Sequence, residues 1–228
     1  MPRVFVMGDI HGAYRALMQC LERSGFDYAN DTLISLGDVS DGWPDTKACI
    51  DELLKIKNLI YILGNHDLWT LHWMKDGSTP EIWLTQGGKA TINSYYDGIP
   101  KEHISFLENA LPYYLLNNKL FVHAGIDTQL PITEQTLDIF LWNRNLAYTA
   151  IGLYQSNTQT RLTEYDEVYL GHTPISNGRP IQSCEVWLMD TGAGWSGPLA
   201  MMDINTKEVF LSDHVPSLYP GIKGRKRF

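Results

Sequence analysis

The chain has 228 residues, enough for one large domain with a sizeable core. Hydrophobic residues make up 44% of it and charged residues 19%, with 7 Trp and 12 Tyr, which excludes a disordered chain. With 18 basic against 26 acidic side chains the net charge is −8, which argues against a general electrostatic grip on nucleic acid.

RVFVM (3–7) reads as a buried strand, and AYRALMQCLERS (13–24) as a helix with Leu17, Cys20, Leu21 and Ser24 near helical spacing. The unit repeats with TLISLG (32–37) as strand, DTKACIDELLKIK (45–57) as helix and LIYILG (59–64) as strand, an alternation that predicts parallel strands with crossover helices. Residues 68–118 change character, with Trp69, Trp73 and Trp83 and a glycine pair at 87–88, and read as a helical insertion. In it Trp69, Trp73, Trp83, Tyr95 and Tyr96 are expected to form the core, and His72, beside Trp69 and Trp73, to pack in the core or an interface. Short strands follow at 119–126, 167–173, 186–192, 199–204 and 208–213, the last two forming a hairpin around Asn205, Thr206 and Lys207. No repeat, low-complexity segment or linker interrupts the chain, so a single domain over 1–228 is expected.

Cys20, Cys49 and Cys184 are odd in number and lack C-x-x-C spacing, so neither a disulfide framework nor a structural zinc site is indicated. No apolar run approaches the roughly 18 residues of a membrane span. No leader-like segment precedes the first strand, and cytoplasmic residence is expected. The basic tail at 221–228, with Lys223, Arg225, Lys226 and Arg227, reads as frayed and solvated.

The ends of the apolar runs carry the chemistry. They read GDIHG, GDVSDG, GNHD, VHAG and GHT, each placing a potential ligand where a strand stops, and ligands gather beyond the carboxyl ends of parallel strands. In the first, Asp9 and His11 lie two residues apart and would share one face of a strand that ran on. Together the five segments offer Asp9, His11, Asp38, Asn65, His123 and His172. This mixture of carboxylate, amide carbonyl and imidazole without thiolate suits manganese, iron or zinc better than calcium or a structural zinc. Six ligands exceed one transition ion's needs, whereas two ions about 3.5 to 4 Å apart would use them all if a carboxylate, by its central place Asp38, bridged.

GDIHG, GDVSDG, GNHD, VHAG and GHTP in this order resemble the signature set of the calcineurin-like metallophosphoesterases, most closely the phosphoprotein phosphatases in their compact bacterial and phage form, the serine/threonine protein phosphatases. The resemblance runs from Val4 to about Gly194 and includes WLTQGGKATINSY, LPYYLLNNKLFVHAGI, LWNR and DTGA. It implies an α/β (α+β) fold, a β-sandwich of two mixed sheets flanked by helices in α/β/β/α layers. It also implies that Asp9 and His11 hold a first metal, Asp38 bridges, and Asn65, His123 and His172 hold a second, most often manganese. His66 would be the proton donor paired with Asp41, and Arg144 would grip the phosphate oxygens.

The chemistry agrees with that assignment. A water shared by two cations loses its proton near neutral pH and can attack phosphorus in line. An imidazole such as His66 can then protonate the leaving alcohol, its pKa raised by a carboxylate such as Asp41. Asp41 also fits a turn or N-cap ahead of the 45–57 helix. The expected activity is that of a two-metal phosphomonoesterase acting on phosphoserine, phosphothreonine or phosphotyrosine in proteins.

Two departures bear on the substrate. Gly42 and Trp43 stand where the family's second motif normally continues with an arginine, which leaves the clamp to Arg144 alone or to a basic residue of the insertion such as Lys89. GNHDL and VHAGI resemble the symmetrical diadenosine tetraphosphatases, although those enzymes generally lack an aspartate at the place of Asp41. The alternative is therefore a dinucleoside polyphosphate hydrolase with the same metal centre. A nuclease is disfavoured by the acidic balance, and a non-catalytic phosphate-binding adaptor by the retention of His66.

Overall fold

The computed structural model describes residues 2–225. In chain order the elements are β1 (Val4–Met7), α1 (Tyr14–Arg23), β2 (Thr32–Ser35), α2 (Thr46–Leu53), β3 (Asn58–Tyr61) and α3 (Asn65–Asp76). After them come α4 (Glu81–Trp83), α5 (Lys89–Ser94), α6 (Lys101–Glu108), β4 (Tyr113–Leu116), β5 (Lys119–Val122), α7 (Leu137–Trp142) and α8 (Asn145–Ser156). The chain continues with β6 (Glu167–Leu170), β7 (Ile181–Ser183), β8 (Val186–Leu188), β9 (Ala200–Asp203), β10 (Val209–Leu211) and α9 (Val215–Leu218).

The strands form two five-stranded sheets, ordered β10-β9-β1-β2-β3 and β4-β5-β6-β8-β7. In the first, β1, β2 and β3 run parallel while β9 is antiparallel to both β1 and β10. In the second, β5, β6 and β8 run parallel, with β4 and β7 antiparallel at the edges. Both sheets are therefore mixed, as expected.

Alternation along each strand builds the layers. Phe5 and Met7 of β1 face outward onto Leu17, Cys20 and Leu21 of α1 and Cys49, Ile50 and Leu53 of α2. Val6, between them, faces the middle of the sandwich with Ile34 and Leu36. In the second sheet Leu120, Val168 and Val186 pack outward with Phe140 of α7 and Ala147 and Ala150 of α8. Phe121, Tyr169 and Trp187 fill the middle layer from the other side, Phe121 and Tyr169 stacked at 4.7 Å between centroids. Because both faces of these strands are buried, they read as continuous apolar runs. Truncating Phe121 in this layer would cost about 3–5 kcal/mol.

The segment expected as a helical insertion over 68–118 differs at both ends. Helix begins at Asn65, and the segment closes on a strand, β4, paired with β5. The connection is the two-residue loop Asn117–Asn118, with φ of 48° and 60°, the left-handed pair that a tight hairpin requires. Trp83 and Tyr95 are buried as expected and Trp73 packs against both, but Tyr96 is 89% exposed and His72 is exposed rather than packed. β1 ends at Met7 as expected, whereas β2 stops at Ser35, short of the expected strand over 32–37. Asp9 and His11 therefore converge through a loop rather than along a strand. Among the described residues no helix is long and apolar enough to cross a membrane.

Candidate active site

The carboxyl ends of β1, β2 and β6 and the first turn of α3 open into one cavity of about 280 Å³, lined by Asp9, His11, Asp38, Asn65, His66, Arg144 and His172 among others. His123, at the end of β5, lies buried beside it. All the residues marked at the strand ends are thus brought to one place. Three of them hold left-handed backbone, His11 and Asp38 at φ 52° and His172 at φ 60°. That conformation costs a non-glycine residue of order 1–3 kcal/mol and concentrates at functional sites.

Hydrogen bonds lock the loops. The buried Asp67 carboxylate accepts from the amides of Asp38 (2.8 Å), Val39 (3.0 Å) and Gly64 (3.0 Å) and from the Tyr61 hydroxyl (2.6 Å), tying the loop after β2 to the start of α3. The His66 amide donates to Asp38 Oδ1 at 2.9 Å, and the His172 amide to Asp9 Oδ2 at 3.0 Å. Gly64 is required by close approach, since a Cβ there would collide with the Asp38 carboxylate.

The donor atoms converge without protons between them. His11 Nδ1 donates to the carbonyls of Ser40 and Asp41, which leaves its Nε2 as a lone pair 3.7 Å from Asp38 Oδ2. His123 Nδ1 donates to the Leu36 carbonyl at 2.7 Å, so its Nε2 faces Asn65 Oδ1 at 3.0 Å and Asp38 Oδ2 at 3.5 Å, acceptor against acceptor. His172 Nε2 and Asp190 Oδ2 are buried with no hydrogen-bond partner among the described residues. Lone pairs aimed at lone pairs fit cations. Asp9, His11 and Asp38 form one group that could hold an ion, and Asp38, His123 and His172 a second. Asp38 is common to both.

The electrostatics follow from burial. Burial, then the neighbouring carboxylates Asp190 and Asp38, push Asp9 well above the usual carboxylate range, and burial followed by Asp67 does the same to Asp38. Burial pushes His123 down to about 3 and His172 further still.

Beside these groups His66 Nδ1 lies 2.6 Å from Asp41 Oδ2. The Asp41 carboxylate also accepts from Trp83 Nε1 and Thr91 Oγ1, both at 2.7 Å. Asp41 is therefore held as an acceptor by the helical segment and is no N-cap, since α2 starts from Asp45 with no side-chain cap bond. One expectation is not met: burial, then Arg225 and His11, push His66 well below the ordinary imidazole value despite the Asp41 carboxylate beside it. Asp41 in turn is pushed up to about 8 by burial. Arg144 lines the cavity with Nη1 3.4 Å from Thr173 Oγ1, whereas Lys89 is exposed and does not line it.

Several participants escaped the sequence reading. Asp67, read in the sequence only as part of GNHDL, is the organiser of two loops. Trp142 and Trp195 line the cavity, as do Gln86 and Arg225. Trp69 meets His66 edge-on at 5.1 Å and Trp142 at 5.2 Å, so it belongs to this site rather than to the core of the helical segment. The tail expected to be solvated brings Arg225 into the cavity, whereas Lys226 and Arg227 lie outside the described residues.

Known proteins place this architecture. The chain is 28% identical over 214 residues to serine/threonine-protein phosphatase 1 of Salmonella typhimurium, an alignment covering 88% of this chain and 91% of that protein. It is 41% identical to the symmetrical bis(5'-nucleosyl)-tetraphosphatase of Cellvibrio japonicus, over 89% of this chain and 95% of that one. A crystal structure described as a candidate diadenosine tetraphosphatase shares the fold with a TM-score of 0.68 at 20% identity, covering 92% of this chain and 95% of its own. The calcineurin-like phosphoesterase profile matches residues 2–198, and the chain belongs to that family of metal-dependent phosphatases.

Proposed function

We propose that the chain is a two-metal phosphomonoesterase that removes phosphate from phosphoserine, phosphothreonine and phosphotyrosine in proteins. The observation that carries this reading is the His66–Asp41 pair at 2.6 Å, set in the wall of the cavity that gathers the two donor groups. Asp9, His11 and Asp38 would hold one divalent cation, and Asp38, Asn65, His123 and His172 the other. Manganese suits this mixed donor set. Such ions, when bound, acidify a water and neutralise the phosphate oxygens.

The chain's own residues do the rest. Arg144 grips phosphate oxygens and holds the ester in line for attack. As the water oxygen bonds to phosphorus, the ester P–O bond breaks and its electron pair leaves on the alcohol oxygen. His66, its Nδ1–H donated to Asp41, meets that oxygen through a protonated Nε2 and supplies the proton, which the one lost by the attacking water replaces. Asp41, fixed by Trp83 and Thr91, keeps the ring oriented.

A second reading, hydrolysis of dinucleoside polyphosphates by the same centre, is favoured by the aromatic walls. Trp142, 41% exposed, and Trp195, its ring 6.2 Å from that of His11, line the cavity as surfaces on which an adenine can stack. The test is manganese-reloaded protein assayed side by side on phosphopeptides and diadenosine tetraphosphate, with Asp38→Asn as control. Phosphopeptides dominating in kcat/KM is the expected outcome, and nucleotide cleavage dominating would move the chain to the second reading.

A further inference from the structure

Arg225 reaches the cavity from the end of the chain. Its amide donates to the Gly194 carbonyl at 3.1 Å, and the preceding Gly224 lies flat on the Trp43 ring, where any Cβ would meet Cζ2 at 2.6 Å. The Arg225 stem passes over Gly42: a side chain at 42 would meet its Cγ at 3.1 Å and its Cδ at 3.4 Å. The guanidinium stands 4.6 Å from the centre of the Trp195 ring, donates from Nη2 to Gln86 Oε1 at 2.8 Å and from Nη1 to His11 Nε2 at 3.0 Å.

Every polar partner it has is neutral. Among the described residues no carboxylate lies within ion-pair distance of this guanidinium, unlike those of Arg3 and Arg23. A planar fork of five donors is stacked and half-buried with most of its donors unused. One of its two polar partners, His11 Nε2, is an atom that also belongs to the first donor group. With a cation on that nitrogen Arg225 would release it, and besides the attraction of Asp38, Asp41, Asp190 and Asp9 an anion between the two would hold the guanidinium there. A phosphate dianion in the cavity would be that anion and would accept from the free donors of the planar guanidinium.

We propose that Arg225, delivered by the C-terminal tail across Gly42, is a phosphate-gripping residue of this site, facing the substrate together with Arg144. The absence of a side chain at Gly42 leaves the channel through which the Arg225 stem runs, and Trp195 and Gln86 aim its fork. This inference rests on the phosphate-ester reading of the site and adds a second residue, beside Arg144, that holds the ester.

Wild type, Arg225→Gln and Arg225→Lys, each full-length and reloaded with manganese, are compared in three ways. The measurements are inorganic phosphate affinity by calorimetry, manganese content by mass spectrometry, and kcat and KM on p-nitrophenyl phosphate. The expected result is that Arg225→Gln binds phosphate about 10- to 100-fold more weakly, the loss of one charge-assisted contact, at unchanged manganese content. Turnover in kcat/KM should fall in parallel, with Arg225→Lys recovering part of both. Phosphate affinity within twofold of wild type in Arg225→Gln overturns the proposal. So does an Arg225→Gln protein that takes up manganese more readily and turns over faster, which would make the tail a plug. A wild type that binds phosphate through Arg225 yet hydrolyses no ester would support this inference and sink the phosphomonoesterase reading instead.

Discussion

Replacing Asp41 by Asn isolates the proton-donor pair. In the wild type one carboxylate oxygen accepts from His66 Nδ1 and Trp83 Nε1, and the other from the Thr91 hydroxyl. An asparagine can turn its oxygen toward His66 and Trp83 and one amide N–H toward Thr91 Oγ1, whose own proton then passes to Thr46 Oγ1 at 3.2 Å. What is lost is the charge on the acceptor. Three charge-assisted bonds become neutral ones at about 1 kcal/mol each, so stability falls by about 3 kcal/mol. Catalysis suffers more. Without the carboxylate the imidazolium of His66 is unsupported, and general-acid catalysis contributes about 10²- to 10⁴-fold. The assay compares two leaving groups. On a phosphoserine peptide, whose alkoxide needs a proton, kcat should fall about 100-fold. On p-nitrophenyl phosphate, whose phenolate leaves without one, it should fall less than about 10-fold. Equal losses on both substrates, with metal content intact, would refute the proton-donor role.

Three further outcomes are expected. Stripping metal with a chelator should lower Tm by roughly 10–20 °C, because two ions held at about 100 times their Kd contribute about 2.7 kcal/mol each in linkage; an unchanged Tm would count against any ion at the site. Asp31 is pulled both ways: burial raises it, but the Arg3 guanidinium at 2.6 Å and the amides of Asp27 and Arg3 prevail and hold it below the usual carboxylate range. Its contribution is therefore present above the unfolded carboxylate pKa of about 4 and lost as pH falls below it, so Asp31→Asn should flatten the drop in Tm between about pH 5 and pH 3, and an unaltered slope would show the pair contributes nothing. Gly64→Ala, which drives a methyl into the Asp38 carboxylate, should lower manganese content and turnover together, and full activity in that variant would contradict the packing described.

The parts of this molecule that could be read in advance are those written in short stretches. Val4–Met7 and Lys119–Val122 announce themselves because both faces of each strand are buried, and a ligand-type residue follows each. The loop geometry is not local in that way. Asp9 and His11 meet because His11 adopts a left-handed backbone, which no residue pattern states. Asp67 gains its role from amides 27 to 29 residues away, and Asp41 from Trp83 and Thr91 in the helical segment. The hairpin signal Asn117–Asn118 was local and legible, yet it stands at the end of a helix-rich stretch that hid β4. Arg225 is the extreme case: a basic tail reads as solvated until Gly224 is seen against Trp43 and the guanidinium against Trp195. The direction of the His66 shift depends on summed burial and on a cation contributed 159 residues later, beyond the reach of a motif.

The central claim is that Asp38 joins two cation sites. It is tested most directly by titrating chelator-stripped wild type and Asp38→Asn with manganese, reading stoichiometry by calorimetry and mass spectrometry. The account predicts two manganese ions per wild-type chain, and in Asp38→Asn both sites weakened together, with turnover lost. A wild type saturating at one ion, or an Asp38→Asn protein that holds two as tightly as before, would contradict it.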